Sequence, residues 1–337
     1  MKAYVLHGIN DLRYDEVPIP TCQKGWAIVK VKASGICSSD IARIFTKGTY
    51  HFPTIPGHEF AGIVESVGDV SDEFLIGKHV GVFPLIPCKK CDQCIEKHYE
   101  MCSDYDYMGS RRDGGFAEYV AVPIWNLVVL DKNVPFTEAA MLEPLSVALH
   151  AIKQSRIESG QAIGIIGTGM IGIAAGQWAR KTGANVTIIG RNETKRSLVE
   201  KCGLKYMQCI DKNAIGQFDV TIEAVGTNNA IELTVWGAKS GGTVVLMGNP
   251  SGNICFNQNT YWRVLRKQLI LKGTWNSAYD GLNVSDWTEA AQALADKEIN
   301  ITPLISHCFS QKDLKKGLDL MKEHRESFCK IMTVWNE

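Results

Sequence analysis

The chain has 337 residues, 45% hydrophobic and 21% charged, which is enough for two domains with cores of their own. Lysine plus arginine equals aspartate plus glutamate at 36 each, so no global field favours nucleic acid or an anionic membrane. Eleven cysteines, an odd number with no apolar leader before them, suit a reducing, cytoplasmic setting in which thiols hold metals or fill the core.

The first part reads as all-β and partly barrel-like. Residues 1–5 open as a strand, and Trp26-Ala27-Ile28-Val29-Lys30-Val31-Lys32-Ala33 alternates as a half-buried strand does. The same texture returns over 57–68, 78–83 and 115–122. Between these strands lie residues that suit metals. Cys37 sits in Gly35-Ile36-Cys37-Ser38-Ser39-Asp40, and His58 and Glu59 follow Pro56-Gly57. Glu143 is a carboxylate among Ala139, Met141, Leu142, Leu145 and Val147, a setting that demands a partner. A thiolate, an imidazole and a carboxylate suit a zinc ion that keeps one position open, although spacing alone does not bring them together.

Cys88, Cys91, Cys94 and Cys102 form C-x2-C-x2-C-x7-C on a polar, loop-like stretch. Four thiolates so placed meet the tetrahedral demand of structural zinc and leave no position for chemistry. A ferredoxin-type run places its fourth cysteine after three residues and follows it with proline; here Ser103 follows.

From about Pro135 the texture changes to strands alternating with helices. A helix is expected to start at 136–140 with Thr137 as its cap. Strands are expected over 162–166, 186–189, 218–223 and 242–247, with helices over 170–182, 193–202 and 228–237. An edge strand is expected over 269–272, helices over 286–296 and 311–322, and a closing strand over 331–334. That alternation implies a doubly wound parallel sheet. Gly167-Thr168-Gly169-Met170-Ile171-Gly172 places G-x-G-x-x-G between a strand and a helix. Gly167 suits the tight turn, Gly169 the approach of a pyrophosphate, and Gly172 close helix–strand packing. The N–H groups at Met170 and Ile171 open the helix toward the phosphates. Past the second strand stands Gly190-Arg191, with Lys195 and Arg196 nearby, where an acidic residue would grip the ribose of NAD. The missing carboxylate and the guanidinium favour NADP, the alternative being that Glu193 serves as the acid one turn later.

Cys37 with Ser39-Asp40, Gly57-His58-Glu59, the four-cysteine lobe, Glu143-Pro144 and the glycine fingerprint together resemble the zinc-dependent medium-chain alcohol dehydrogenases. Glu143-Pro144-Leu145-Ser146-Val147 is similar to the polyol, sorbitol-type branch. The resemblance runs over about 4–335. It implies an α/β fold: a GroES-like, β-barrel-type catalytic domain over 1–136 and 275–337 with its zinc lobe at 88–102, and a Rossmann domain over 137–274. It implies two zinc ions per chain, one structural and one catalytic, the latter held by Cys37, His58 and either Glu59 or Glu143. It further implies NADP or NAD, a polyol or polyol phosphate as substrate, and a homodimer or homotetramer. In that reading Ser39 carries the substrate proton, and Arg111 and Arg112 offer paired guanidiniums to a substrate phosphate, unless one is a structural arginine bound to Asp113 or Glu118. The alternatives are an unphosphorylated polyol or other secondary alcohol, a zinc-lobed binding module, and a zinc-free quinone reductase on the same fold.

Overall fold

The computed structural model describes residues 1–191, 193–209, 215–250, 252–281 and 284–335. The chain divides into two units. The first comprises Met1–Pro144, Ala278–Glu298 and Ile305–Glu337; the second comprises Leu145–Ser277 and Ile299–Leu304. These limits differ from the expected ones at both joints. Residues 299–304 lie with the second unit because Gln177 and Asn300 bond reciprocally: the Gln177 amide donates to the Asn300 carbonyl at 2.9 Å and accepts its N–H at 2.7 Å.

The first unit is built on a seven-stranded sheet whose spine is strand Trp26–Ile36. Its long β-branched run pairs antiparallel with Glu59–Val67, Tyr119–Pro123 and Lys330–Val334. Tyr4, Leu6, Phe60, Phe116 and Ile331, each no more than 2% exposed, belong to its core. The stretch 115–122, expected to be one strand, joins the seven-stranded sheet only from Tyr119, after an isolated antiparallel bridge between Ala117 and Ala3. Before that point Gly115 and Phe116 donate to the carbonyls of Gly57 and Pro56 and pin the histidine-bearing turn. A second cluster stacks Phe83 against Tyr279 and Trp287. Trp287 is fully buried, so truncating it to alanine is expected to cost about 3–5 kcal/mol. Thr137 does not cap its helix: Phe136–Ala139 starts at the expected residue, and Pro135, two residues before Thr137, takes the cap position with extended φ/ψ.

The second unit carries a six-stranded parallel sheet. In spatial order its strands are Lys205–Gln208, Asn185–Gly190, Ala162–Ile166, Phe218–Glu223, Ala238–Leu246 and Ile270–Gly273. Every neighbouring pair is parallel, the arrangement expected from alternating strands and helices. The helix expected over 193–202 is shorter: a 3-10 turn at Glu193–Lys195 leads into Arg196–Lys201. No helix among the described residues is long and apolar enough to cross a membrane.

Candidate active site

Cys37 and the adjacent pair His58 and Glu59 meet at one end of the first unit's sheet. Cys37 leaves the end of strand Trp26–Ile36 and caps the short helix Ser38–Ala42. His58 and Glu59 stand where strand Glu59–Val67 begins, after Gly57, whose φ of 92° favours glycine. Glu59 pairs with Gly35 across the ladder. A Cβ at Gly35 would lie 2.3 Å from the Glu59 carboxylate, so glycine there makes room for the acid. One ligand atom each from Cys37, His58 and Glu59 lies within 4.8 Å of the others.

Charges around this trio are arranged in pairs. Asp40 is fully buried, its carboxylate 3.3 Å from His58 Nδ1, and it accepts the Cys37 N–H at 3.0 Å. Burial alone would raise the Asp40 pKa, but the facing His58 and Arg43 pull it below the usual carboxylate value. An acid on Nδ1 fixes the ring and leaves Nε2 for a metal. Arg43 Nη1 reaches Ser39 Oγ at 3.0 Å and Asp40 at 3.4 Å.

The two candidate carboxylates have separate partners. Glu59 receives a bond from Lys330 Nζ at 2.5 Å, and Lys330 also donates to the Ile36 carbonyl at 3.3 Å. Burial opposes the lysine's charge, yet Glu59 and Cys37 hold its pKa above the ordinary value. Glu143 lies outside the trio and accepts from the Tyr107 hydroxyl at 3.4 Å. Burial pushes Glu143 up to about 7; Glu59 adds to the rise, while His58, Lys330 and the Tyr107 bond oppose it. The Tyr107 ring stands 5.9 Å from that of His58. Lys330 and Tyr107 were not among the residues singled out from the sequence. The only available sign was a lysine opening the apolar run Ile331-Met332-Thr333-Val334.

The four-cysteine lobe is closed on itself. Its sulfurs all lie within 4.8 Å of one another, with Cys88–Cys94 and Cys91–Cys102 at 3.9 Å. Tetrahedral zinc with bonds of about 2.3 Å needs sulfurs roughly 3.8 Å apart, so the donors already stand at that spacing. Backbone N–H groups of Ser103 and Cys94 pull the Cys91 thiol down to about 6. None of the eleven cysteines is in a disulfide. Lys89 lies 4.7 Å over the Trp125 ring and Tyr99 stacks edge-on against it, which anchors the lobe.

In the second unit glycines shape the turn between strand Ala162–Ile166 and helix Met170–Lys181. Gly167 has a φ of 133°, and a Cβ at Gly172 would meet the Gly167 carbonyl at 2.3 Å. A Cβ at Gly169 would meet nothing within 4 Å, so open space lies at the start of helix Met170–Lys181. No side chain caps that helix, and its first N–H groups stay available to an anion. At the end of strand Asn185–Gly190 no carboxylate faces the site from position 190. Glu193 is held in a two-pronged clamp by Arg196, leaving Arg191 exposed.

Arg111 and Arg112 stand apart from the metal trio. The Arg111 guanidinium lies between the rings of Tyr50 and Tyr105, at 4.2 and 4.5 Å, and donates to the Tyr105 carbonyl at 2.9 Å. Its Nε is buried without an acceptor. Arg112 pairs with Asp106 at 2.6 Å; Asp113 and Glu118, considered from sequence, instead accept the backbone N–H groups of Ile55 and Lys2. Both arginines line a cleft of about 670 Å³.

A sulfur–nitrogen–oxygen trio, a closed four-sulfur lobe and a glycine-turned parallel sheet define an NAD(P)-linked zinc oxidoreductase. Residues 23–132 match the alcohol dehydrogenase GroES-like domain, and residues 171–296 match the zinc-binding dehydrogenase. The chain belongs to the zinc-type medium-chain alcohol dehydrogenases. It is 33% identical to galactitol 1-phosphate 5-dehydrogenase of Escherichia coli (strain K12), over 91% of this chain and 92% of that protein. The crystal structure of galactitol-1-phosphate dehydrogenase from Escherichia coli superposes with a TM-score of 0.91 at 30% identity, covering 99% of this chain and 100% of that one. A zinc-binding dehydrogenase from Sinorhizobium meliloti 1021, bound to NADP, superposes at 0.90 with 28% identity, over 99% and 98% of the two chains.

Proposed function

We propose that this enzyme transfers a hydride between a polyol or polyol phosphate, galactitol 1-phosphate among the first to test, and NADP. The observation that carries the reading is the pairing of the Cys37–His58–Glu59 trio with a dinucleotide site whose second strand ends in Gly190-Arg191. Zinc, when bound by Cys37, His58 and a carboxylate, supplies the polarisation that makes a hydroxyl acidic. Glu59 is the third ligand in this reading because it lies within the trio, while Glu143 lies outside it and accepts from Tyr107. Ser39 accepts from Arg43, which leaves its own O–H to pass a substrate proton outward.

For the cofactor, Gly167, Gly169, Met170, Ile171 and Gly172 form the phosphate turn, and Arg191 and Lys195 favour the 2′-phosphate. Substrate phosphate, where present, falls to Arg111 first, since Arg112 is already neutralised by Asp106. The expected cytoplasmic setting and a homodimer or homotetramer complete the reading. The sheet's edge strand Ile270–Gly273, with Ile270 57% exposed, offers the second copy its pairing surface.

A spectrophotometric screen of galactitol 1-phosphate, other hexitol and pentitol phosphates, and free polyols with NADP and NAD tests the proposal. Turnover of a phosphorylated polyol with NADP supports it. Turnover of sorbitol or threonine alone moves the enzyme to the unphosphorylated class, and no turnover of any secondary alcohol removes the reading.

A further inference from the structure

We infer that Tyr206 is a second determinant of cofactor choice, because it fills the space an acidic side chain at position 190 would need. This inference rests on the proposed NADP preference and names the residue that locks it.

The geometry follows from the parallel ladder. Tyr206 in strand Lys205–Gln208 pairs with Ile188, and Gly190 pairs with Gln208. Side chains two apart on a strand share a face, so the Tyr206 ring and position 190 lie on the same side of the sheet. A Cβ built at Gly190 would stand 2.7 Å from the Tyr206 hydroxyl, 2.8 Å from its Cε2 and 2.8 Å from Thr168 Cγ2. Real Cβ atoms do not approach other heavy atoms so closely, so an aspartate cannot enter unless a neighbour moves. Tyr206 is 9% exposed, and the Arg196 guanidinium lies 4.8 Å over its ring. Arg196 is in turn held by Glu193 and Glu200. The ring is therefore nearly buried and covered by a clamped guanidinium, whereas Thr168 is a half-buried loop residue. Glycine at 190 and tyrosine at 206 form a matched pair: restoring the carboxylate of an NAD site requires changing both.

The test is isothermal titration of the full-length wild type, Gly190→Asp, Tyr206→Val and the double variant with NADP and with NAD. Gly190→Asp alone should lose roughly tenfold or more in NADP affinity and gain nothing for NAD. The double variant should bind NAD at least about tenfold more tightly than Gly190→Asp does. Equal NAD affinity in Gly190→Asp and the double variant would overturn the inference. So would recovery through Thr168→Ser in place of Tyr206→Val. A wild type that binds NAD as tightly as NADP defeats the cofactor reading instead, while the coupling between 190 and 206 stays measurable. Should the aspartate variants fail to fold, Gly190→Ala carries the Cβ alone. Its loss of melting temperature should be relieved in the Tyr206→Val background, and equal losses in both backgrounds overturn the proposal.

Discussion

Lys330 Nζ stands 2.5 Å from Oε2 of Glu59, with both side chains more than nine-tenths buried. The pair matters because a buried ion that loses its partner costs far more than the pair contributes. Lys330→Met is expected to lower the stability of the zinc-depleted protein by about 3–5 kcal/mol, since Glu59 would keep a buried charge without a counter-ion. The loss should shrink on adding zinc, which gives that carboxylate a new cation. Urea unfolding with and without zinc reads both terms, and an equal loss in the two states would refute the account.

Zinc content follows from the lobe. Cys91→Ser should reduce bound zinc from two ions per chain to one, because three sulfurs do not close a tetrahedral structural site. Inductively coupled plasma mass spectrometry of the purified variant measures the stoichiometry. Retention of two ions would mean that the lobe is not a metal site.

Ser39→Ala should lower turnover by roughly tenfold or more while leaving cofactor affinity unchanged, since general acid–base groups contribute about 10²–10⁴. The appropriate readout is single-turnover hydride transfer with deuterated and protiated alcohol, where chemistry limits the rate. Unaltered turnover under those conditions would leave Ser39 as a loop hydroxyl held by Arg43.

Arg191→Ala should raise the Michaelis constant for NADP roughly tenfold or more and change that for NAD little, because in the proposed reading the guanidinium meets only the extra phosphate. Parallel loss for both cofactors would place Arg191 on the shared part of the dinucleotide.

Asp219 supplies a test by pH. Its carboxylate accepts the Ala162 N–H at 2.8 Å and pairs with Lys239 at 3.0 Å, which hold its pKa below the ordinary value. A folded pKa below the unfolded one stabilises above the unfolded value and loses that contribution as pH falls through the folded one. Asp219→Asn should therefore cost about 1 kcal/mol at pH 7 and progressively less below about pH 4. A cost that stays constant with pH would mean that the aspartate's charge does not contribute.

What the sequence disclosed depended on how far apart the participants lie along the chain. The sulfur lobe spans 88–102 and the glycine turn 167–172, so ligand spacing and turn chemistry were legible at once. The trio was legible as residue types, but its assembly was not, because strand pairing brings Glu59 beside Gly35. Lys330 and Tyr107 were missed for the same reason: a lone lysine or tyrosine becomes informative only when a fold seats it on a carboxylate. Thr137 was misplaced as a cap because a local preference for threonine lost to the extended backbone already available at Pro135. The empty position at 190 was visible in sequence, while the tyrosine that closes it comes from the adjacent strand.

The 271-residue separation between Glu59 and Lys330 has a consequence for biosynthesis. On a ribosome adding roughly 5–20 residues per second, the acid emerges tens of seconds before the lysine that will neutralise it. Until then Glu59 lacks Lys330 as its counter-ion, and residues 33–36 of strand Trp26–Ile36 lack the partner that Lys330–Val334 will supply. A nascent first unit therefore holds a carboxylate without its lysine until the last strand arrives, and early zinc capture would act as a provisional clasp until then.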